Sequence, residues 1–205
     1  LLHKKITDEH FNLLLKVELV KNSSEDETTI YEKLIYSIAI ATKTDHNKIT
    51  IAAINECNPS FDVELGNPLA FDIDAVVSPA NTKGIMNGGY DAALRRYFGV
   101  GIEYLVRQYL EKYQIDVGQA IAVKTGHQTI DWLIVSPTVS VTGEGLSGHT
   151  TVSYACAYNS VKVAYAKGVQ YLGMTGLGSG VGGLNRRESA RQQVQGIEDA
   201  LNEIN

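Results

Sequence analysis

The chain has 205 residues, of which 44% are hydrophobic and 20% are charged, so it is long enough to bury a core and is expected to form one globular domain, or one domain with an appended element. Its formal net charge of -5, with both signs interspersed, argues against nonspecific binding to nucleic acid or to an anionic membrane, because counterion release needs clustered Lys and Arg. An anionic small ligand remains compatible with this charge, since backbone N–H groups can hold a phosphate.

The cysteines and the hydropathy pattern indicate a cytoplasmic protein. Cys57 and Cys156 are far apart, with no C-x-x-C pattern and no His at zinc-ligand spacing, so we expect buried free thiols and no metal site. No apolar stretch approaches the roughly 20 residues of a membrane span, and the charges within residues 1–20 do not fit a signal peptide. We therefore expect no membrane partner and no sequence-specific contact with nucleic acid.

Residues 1–48 differ in composition from the rest of the chain. They are rich in Lys, Glu and Thr, include the polar patch KNSSEDETT, and contain one predicted helix over residues 30–42. We interpret them as an N-terminal extension or appended element, and residues 49–205 as the main domain.

From residue 49 onward, short β-branched runs alternate with helical periodicities. The predicted strands are 49–54, 61–65, 74–78, 119–125, 132–138 and 169–175. The predicted helices are 91–98, 102–113, 150–166 and 185–204. The last of these helices begins with Asn185 as its N-cap and has Glu188 three residues on. This alternation is typical of an α/β layered fold with a mostly parallel sheet.

Two loops of unusual composition follow predicted strands. The first reads SPANTKGIMNGGYD (78–91), and the second reads TGLGSGVGGLNRR (175–187), with five glycines within residues 176–183. Glycines this dense imply left-handed backbone or close approach of a ligand to the main chain. Both loops lead into helix N-termini, where free N–H groups and the helix dipole favour a phosphate. Because ligands of open α/β sheets bind beyond the carboxyl ends of the strands, the two loops predict a diphosphate held from both sides.

Two other nucleotide sites are rivals for the second loop. Residues 178–183 form a literal G-x-G-x-x-G between a strand and a helix. A Rossmann fingerprint should open a βαβ unit with a ribose-binding acid about 20 residues on, whereas only one predicted helix follows here. A P-loop is disfavoured as well, since no Gly-Lys-Ser/Thr closes either glycine run.

The first loop and the strand before it resemble the signature of macrodomains. In that signature a strand ending D-A-[IV]-V runs into N-A-A-N, then into a glycine cluster, then into V-D or I-D at the start of a helix. Here the strand reads DAVV (74–77), the next residues read SPAN (78–81), and GGYD (88–91) closes the loop. The likeness is closest to the branch that reads V-S-P-A-N-S-x-G-x-M-D-G-G-I-D. The stretches VGQAIAVKTGH, WLIVSPTVS and LGSGVGG extend the resemblance over roughly residues 62–201, and residues 1–48 find no counterpart.

The resemblance implies a three-layer α/β/α sandwich with a mixed, mostly parallel central sheet. It implies binding of ADP-ribose or a related NAD-derived nucleotide, with no cofactor, and an ADP-ribosylated protein is a further candidate partner. Some members hydrolyse ADP-ribose esters or related linkages, so a hydrolase and a non-catalytic reader both stay open. Carried onto this sequence, Asn81 and Asp91 would be the catalytic residues of a hydrolase: Asn81 would hold a ribose hydroxyl, and Asp91 would orient or activate the attacking water. The implied ligand-binding residues are Asn67, Ser78, Ala80, Asn81, Gly88, Gly89, Asp91, Pro137, Thr138, Gly176, Gly178, Ser179, Gly180, Val181, Gly182 and Gly183.

Four positions depart from the family's pattern. Asn67 stands where an acid contacts adenine, and an amide makes a weaker hydrogen bond than a carboxylate to the adenine amino group. Ser78 replaces the first Asn of N-A-A-N, and Asn87 replaces the third glycine of the cluster. Gly182 stands where an aromatic residue beside the distal ribose is usual, so we expect a roomier pocket there.

Overall fold

The computed structural model describes residues 68–140 and 145–204, together with two short strands, β1 (Leu15–Glu18) and β2 (Tyr36–Ser37). The other strands are β3 (Ala75–Ser78), β4 (Ile121–Lys124), β5 (Trp132–Val135) and β6 (Tyr171–Met174). The helices are α1 (Gly89–Phe98), α2 (Gly101–Tyr113), α3 (Val152–Ala166) and α4 (Arg186–Ile204), and a 3-10 turn at Pro68–Ala70 precedes β3.

Most predicted elements that fall on described residues are confirmed. The four predicted strands from residue 74 onward and the four predicted helices from residue 91 onward are present, with bounds that shift by a few residues. The predicted strands 49–54 and 61–65 lie outside the described residues. The helix predicted over 30–42 is wrong at Tyr36–Ser37, which form β2. Short apolar runs with β-branched and aromatic residues fit either period, so the pattern alone did not separate helix from strand there.

The strands form one mixed sheet in the order β2-β1-β6-β3-β5-β4. The three central strands are parallel, because β3 pairs in parallel with both β5 and β6. The outer pairs β1–β2, β1–β6 and β4–β5 are antiparallel. Since β1 belongs to residues 1–48, part of that segment adds a strand to the sheet of the main domain, and the domain boundary at residue 48 stays a prediction.

Helices cover both faces of this sheet. Alternate side chains of β3 point to opposite faces: Ala75 and Val77 join a buried cluster with α3 and α4, whereas Val76 joins a second cluster with α1 and α2. The expected three-layer α/β/α sandwich is therefore confirmed. In the part of the chain that the structure describes, no helix has the length and apolar character needed to cross a membrane.

The sheet splits open at the carboxyl ends of β3 and β6. The pairing of these two strands ends at Val76 opposite Gly173, whereas β3 stays paired with β5 as far as Ser78 opposite Val135. The chain leaves β3 for α1 on one face and leaves β6 for α4 on the other face. Neighbouring parallel strands whose connections diverge in this way form the crevice where ligands of open α/β sheets bind.

Candidate functional site

Two loops flank this crevice. The first loop, residues 79–88, connects β3 to α1, and the second loop, residues 175–185, connects β6 to α4. Together they contain most of the residues that the sequence singled out. Asn67 lies outside the described residues.

Asn81 sets the shape of the first loop from within. Its Oδ1 accepts hydrogen bonds from the backbone N of Lys83 (3.0 Å) and of Ile85 (3.2 Å), and its Nδ2 donates to the Ile85 carbonyl (2.9 Å). The residue is only 7% exposed. Because an amide group has two N–H donors, one remains for a ligand, while the amide oxygen is already used by the loop.

Asp91, in the first turn of α1, is held by Ser78 at the end of β3. The Ser78 hydroxyl donates a hydrogen bond of 2.6 Å to Asp91 Oδ1. Ser78 is completely buried and Asp91 is 7% exposed, so the Ser78 hydroxyl orients the carboxylate from the protein interior. Oδ2 of Asp91 accepts no hydrogen bond from the residues that the structure describes, and it is the oxygen left to receive one from a ligand or a water.

The surroundings of Asp91 adjust its proton affinity. Burial raises the pKa of Asp91 from 3.8 to about 6, and the hydrogen bond from Ser78, which favours the charged form, limits that rise. At neutral pH the carboxylate is therefore mostly ionised. It nevertheless accepts a proton more readily than an ordinary Asp does, which suits a general base.

The N-terminus of α1 is open toward the crevice. Gly88, its N-cap, and Gly89, its first residue, are exposed, and no side chain caps the helix. A Cβ placed on either glycine would meet nothing within 4 Å, so space remains for a ligand to approach the main chain. The helix bonding begins with Ala92 N donating to Gly88 O (3.1 Å), which leaves the N–H groups before Ala92 available to an anion.

The second loop is packed against a neighbouring segment. Leu184 N donates to Gly178 O (3.0 Å), and Leu146 N donates to Gly182 O (2.6 Å). A Cβ on Gly182 would lie 2.6 Å from Gly178 O and 2.8 Å from Leu146 Cδ1. The expected roomier pocket at Gly182 is therefore wrong, because Leu146 fills the space that an aromatic side chain would need.

Three consecutive residues at the tip of the second loop offer free donors. Among the described residues, the N–H groups of Ser179, Gly180 and Val181 donate to no acceptor. Gly180 and Val181 are exposed, with Val181 57% accessible. Successive N–H groups of this kind form a concave anion site without needing a positively charged side chain.

The N-terminus of α4 differs from that of α1 because a side chain caps it. Asn185 Oδ1 accepts hydrogen bonds from Arg187 N (3.0 Å) and from Glu188 N (3.3 Å), which confirms Asn185 as the N-cap. The expectation that this helix start offers its free N–H groups to a phosphate is therefore wrong for these two residues. On the second-loop side of the crevice, the free and exposed N–H groups are therefore those of the loop tip, Ser179–Val181.

Pro137 and Thr138, at the end of β5, brace the first loop. Thr138 N donates to Ala80 O (2.8 Å), and the Thr138 hydroxyl donates to Pro79 O (3.4 Å). On the other side, the thiol of Cys156 donates to Pro137 O (3.4 Å), and burial raises the pKa of that thiol to about 11. Cys156 is a buried free cysteine as expected, and Cys57 lies outside the described residues.

Sequence reasoning missed Glu103, which ties the first loop to both helices of its layer. Glu103 Oε1 accepts from Met86 N (3.3 Å) and from Arg107 Nη2 (2.8 Å), and Oε2 lies 2.6 Å from Arg95 Nε. Burial would raise the pKa of Glu103, but the bond from Met86 and the charges of Arg107 and Arg95 outweigh it and lower that pKa. Only the i,i+4 spacing to Arg107 was visible in the sequence.

The aspartate that opens the DAVV stretch has a structural role. Asp74 Oδ2 accepts from Gln170 N (2.6 Å), and Oδ1 accepts from Tyr171 N (2.9 Å). These bonds fix the start of β6 beside β3.

Among the described residues, no group of three or more His, Cys, Asp or Glu side chains is arranged to hold a metal ion.

The family model of the Macro domain matches residues 77–193, which is more than half of the chain. The chain belongs to the macro domain family. The matched region of this macro domain contains Ser78, Asp91 and the whole second loop, so the resemblance of the sequence to macrodomains is confirmed. The closer likeness to the V-S-P-A-N branch stays a prediction.

Known proteins resemble this chain in sequence or in fold. A protein of Aeropyrum pernix is 31% identical over 130 residues, and the match covers 63% of this chain and 66% of that relative. The macrodomain of Mycobacterium tuberculosis DarG has a TM-score of 0.57 and 20% identity, with 68% of this chain and 88% of that chain covered. The Trypanosoma brucei macrodomain in complex with ADP-ribose has a TM-score of 0.54 and 22% identity, with 67% of this chain and 56% of that chain covered.

Proposed function

We propose that this macro domain binds ADP-ribose, or a close NAD-derived nucleotide, in the crevice between the first and second loops. The observation that carries the proposal is the pair of backbone donor groups on the two sides of the split between β3 and β6. One is the uncapped start of α1 at Gly88 and Gly89, and the other is the N–H row of Ser179–Val181. A diphosphate fits between two such groups. The complex of the Trypanosoma brucei macrodomain with ADP-ribose supports the choice of nucleotide.

Titration calorimetry with ADP-ribose, AMP and NAD tests this proposal. We expect ADP-ribose to bind, and no detectable heat with any of the three at high protein concentration contradicts the proposal. Gly88→Val adds bulk where a ligand would approach the start of α1, so we expect it to weaken ADP-ribose binding by roughly tenfold or more. Gly101→Val is the matched control, because Gly101 is equally open but lies beyond the far end of α1.

We further propose that the bound ADP-ribosyl group is hydrolysed with Asp91 as the general base. In an ADP-ribosylated protein, a water held by Asp91 Oδ2 attacks the ribose anomeric carbon, and the bond from that carbon to the oxygen of the linked side chain breaks. In O-acetyl-ADP-ribose the same water attacks the acetyl carbonyl carbon, and the bond from that carbon to the ribose oxygen breaks. Asp91 accepts a proton from the water, and the departing oxygen takes up a proton from solvent. Positioning of the ribose by the two loops supplies much of the rate, since the water is already close to its target. The raised pKa of Asp91 supports its role as acceptor.

A non-catalytic reader is the second candidate, and the bonding of Asn81 favours it. The Asn81 amide oxygen is used by its own loop, so its side chain is bound as in an ordinary turn. Incubation of the protein with an ADP-ribosylated protein and with O-acetyl-ADP-ribose separates the two candidates. Release of free ADP-ribose from either refutes the pure reader, whereas tight binding with both substrates left intact refutes the hydrolase.

A further inference from the structure

Thr175, the first residue of the second loop, has a buried hydroxyl that nothing in the described structure satisfies. The residue is 2% exposed, and its Oγ1 is a buried polar atom without a hydrogen-bond partner among the described residues. A buried hydroxyl with no partner destabilises a folded protein, because it loses its bonds to water and gains none in return. Such a group has a reason to be present if something binds it.

The strand pattern places this hydroxyl at the crevice. Leu172 and Met174 of β6 point into the cluster with α3 and α4, so alternation turns Thr175 toward the opposite face. Ser78 at the end of β3 points to that same face, as its bond to Asp91 of α1 shows. Because the pairing of β3 and β6 ends at Val76 and Gly173, this alternation puts the Thr175 side chain at the split, on the face of the sheet that α1 covers.

Other buried hydroxyls around the second loop are satisfied. Ser153 and Ser189 both donate to the Leu177 carbonyl, at 2.5 Å and 2.7 Å. The buried hydroxyl of Ser160 also lacks a partner in the described structure, but it lies within α3, away from the crevice. Thr175 therefore combines an unsatisfied buried hydroxyl with a place at the carboxyl ends of the parallel strands.

We propose that the Thr175 hydroxyl is a ligand-binding group that hydrogen-bonds an oxygen of the bound nucleotide, either a ribose hydroxyl or a phosphate oxygen. The inference rests on the proposed nucleotide function and adds to it a contact deep in the crevice. It also explains why an unsatisfied hydroxyl is kept: the loss of stability in the free protein is offset when the ligand binds.

The test compares Thr175→Val, which removes the hydroxyl and keeps the shape, with Thr175→Ser, which keeps a hydroxyl. Affinity for ADP-ribose and for AMP is measured by calorimetry, and the Tm of the free protein by thermal unfolding. For Thr175→Val we expect affinity for ADP-ribose to fall roughly 3- to 10-fold while the Tm of the free protein rises by about 2–4 °C. Thr175→Ser should bind nearly as wild type. An equal loss with AMP places the contact on the AMP half of the nucleotide, and a loss with ADP-ribose alone places it on the distal half.

Thr125→Val is the matched control. Its hydroxyl donates to the Ile130 carbonyl just after the edge strand β4, away from the crevice. We therefore expect Thr125→Val to have a lower Tm and an unchanged affinity for ADP-ribose. If Thr175→Val binds ADP-ribose as wild type does, or if its Tm falls, the proposal is overturned, since the hydroxyl then has no ligand or already has a partner. If the wild-type protein binds no nucleotide, both the proposed function and the Thr175 proposal fail. If wild type and Thr175→Val bind ADP-ribose equally well, the proposed function stands and only the Thr175 contact is refuted.

Discussion

The first and second loops look alike in sequence and differ in structure. In the first loop, Gly88 and Gly89 border empty space and open into a helix that no side chain caps. In the second loop, Gly178 and Gly182 pack against each other and against Leu146, and the following helix is capped. The tip of the second loop resembles the first loop, because there free backbone donors are combined with exposed residues.

The two loops therefore contain glycine for two different physical reasons. A glycine beside open space lets a ligand reach the main chain, whereas a glycine in contact with a carbonyl and a leucine lets the protein pack on itself. The chemistry is also divided between the loops. The first loop leads to the buried carboxylate of Asp91, whereas the second offers the backbone N–H groups of Ser179–Val181 and the Thr175 hydroxyl.

The largest effect is expected for turnover in Asp91→Ala, if the protein is a hydrolase. Loss of the general base should lower the rate of ADP-ribose release by roughly 10²-fold or more, with little change in ADP-ribose affinity. Single-turnover kinetics on an ADP-ribosylated protein measure the rate. Asp131→Asn is the control, because Asp131 is an exposed aspartate that pairs with Lys124 of the edge strand β4 (2.9 Å), away from the crevice. Equal rates for wild type and Asp91→Ala would show that the chemistry does not lie on the side of the first loop.

The next effect concerns the stability of Asp91→Asn as pH changes. Because the folded-state pKa of Asp91 is about 6 and its ordinary value is 3.8, the fold favours the neutral form. The stability contributed by the neutral carboxyl is full below pH 3.8, declines between pH 3.8 and about 6, and is lost above that. Asparagine stays neutral, so at about pH 8 the variant should exceed wild type by on the order of 2 kcal/mol in free energy of unfolding. Urea unfolding between about pH 4 and pH 8 measures the difference, and a variant that is less stable than wild type at pH 8 contradicts the account.

A smaller effect is expected when the packed part of the second loop is compared with its tip. Gly182→Ala forces a Cβ to within 2.6 Å of Gly178 O, so the free energy of unfolding should fall by about 1–3 kcal/mol. Gly180→Ala is the matched variant, since a Cβ there meets nothing within 4 Å, and its stability should stay near that of wild type. Chemical denaturation of both measures this. Equal losses of stability in Gly182→Ala and Gly180→Ala would mean that the second loop does not consist of a packed part and an open tip.

The smallest effect is expected for Asn185→Ala at the start of α4. Loss of the cap should lower stability by about 1 kcal/mol and leave ADP-ribose affinity unchanged, because the capped N–H groups take no part in binding. Thermal unfolding and calorimetry together check both halves of the prediction. A tighter complex in the variant would show that the first turn of α4 competes for the phosphate.

The sequence predicted the local parts of this site and missed those that depend on distant residues. The central strands and the cap by Asn185 follow from periodicity and from residue types that act on near neighbours. The contact of Leu146 with Gly182 joins residues far apart in the chain, and no local pattern marks it.

Two polar groups of the site show the same limit of prediction from sequence. Ser78 and Asp91 were both singled out as ligand residues, but only the packing of α1 on the sheet shows that they bond to each other. Strand alternation could have turned Thr175 and Ser78 to the same face, but it could not show that the Thr175 hydroxyl lacks a partner.

The central claim is that a nucleotide is held by the open start of α1 and by the tip of the second loop, and backbone amide NMR tests it most directly. On titration with ADP-ribose, we predict large shift changes for the amides of Gly88–Asp91 and of Ser179–Val181, with small changes for Arg187 and Glu188, whose amides are bound by Asn185. Saturable binding with shifts at Arg187 and Glu188 but none at Ser179–Val181, or with no shift at Gly88–Asp91, would contradict the account.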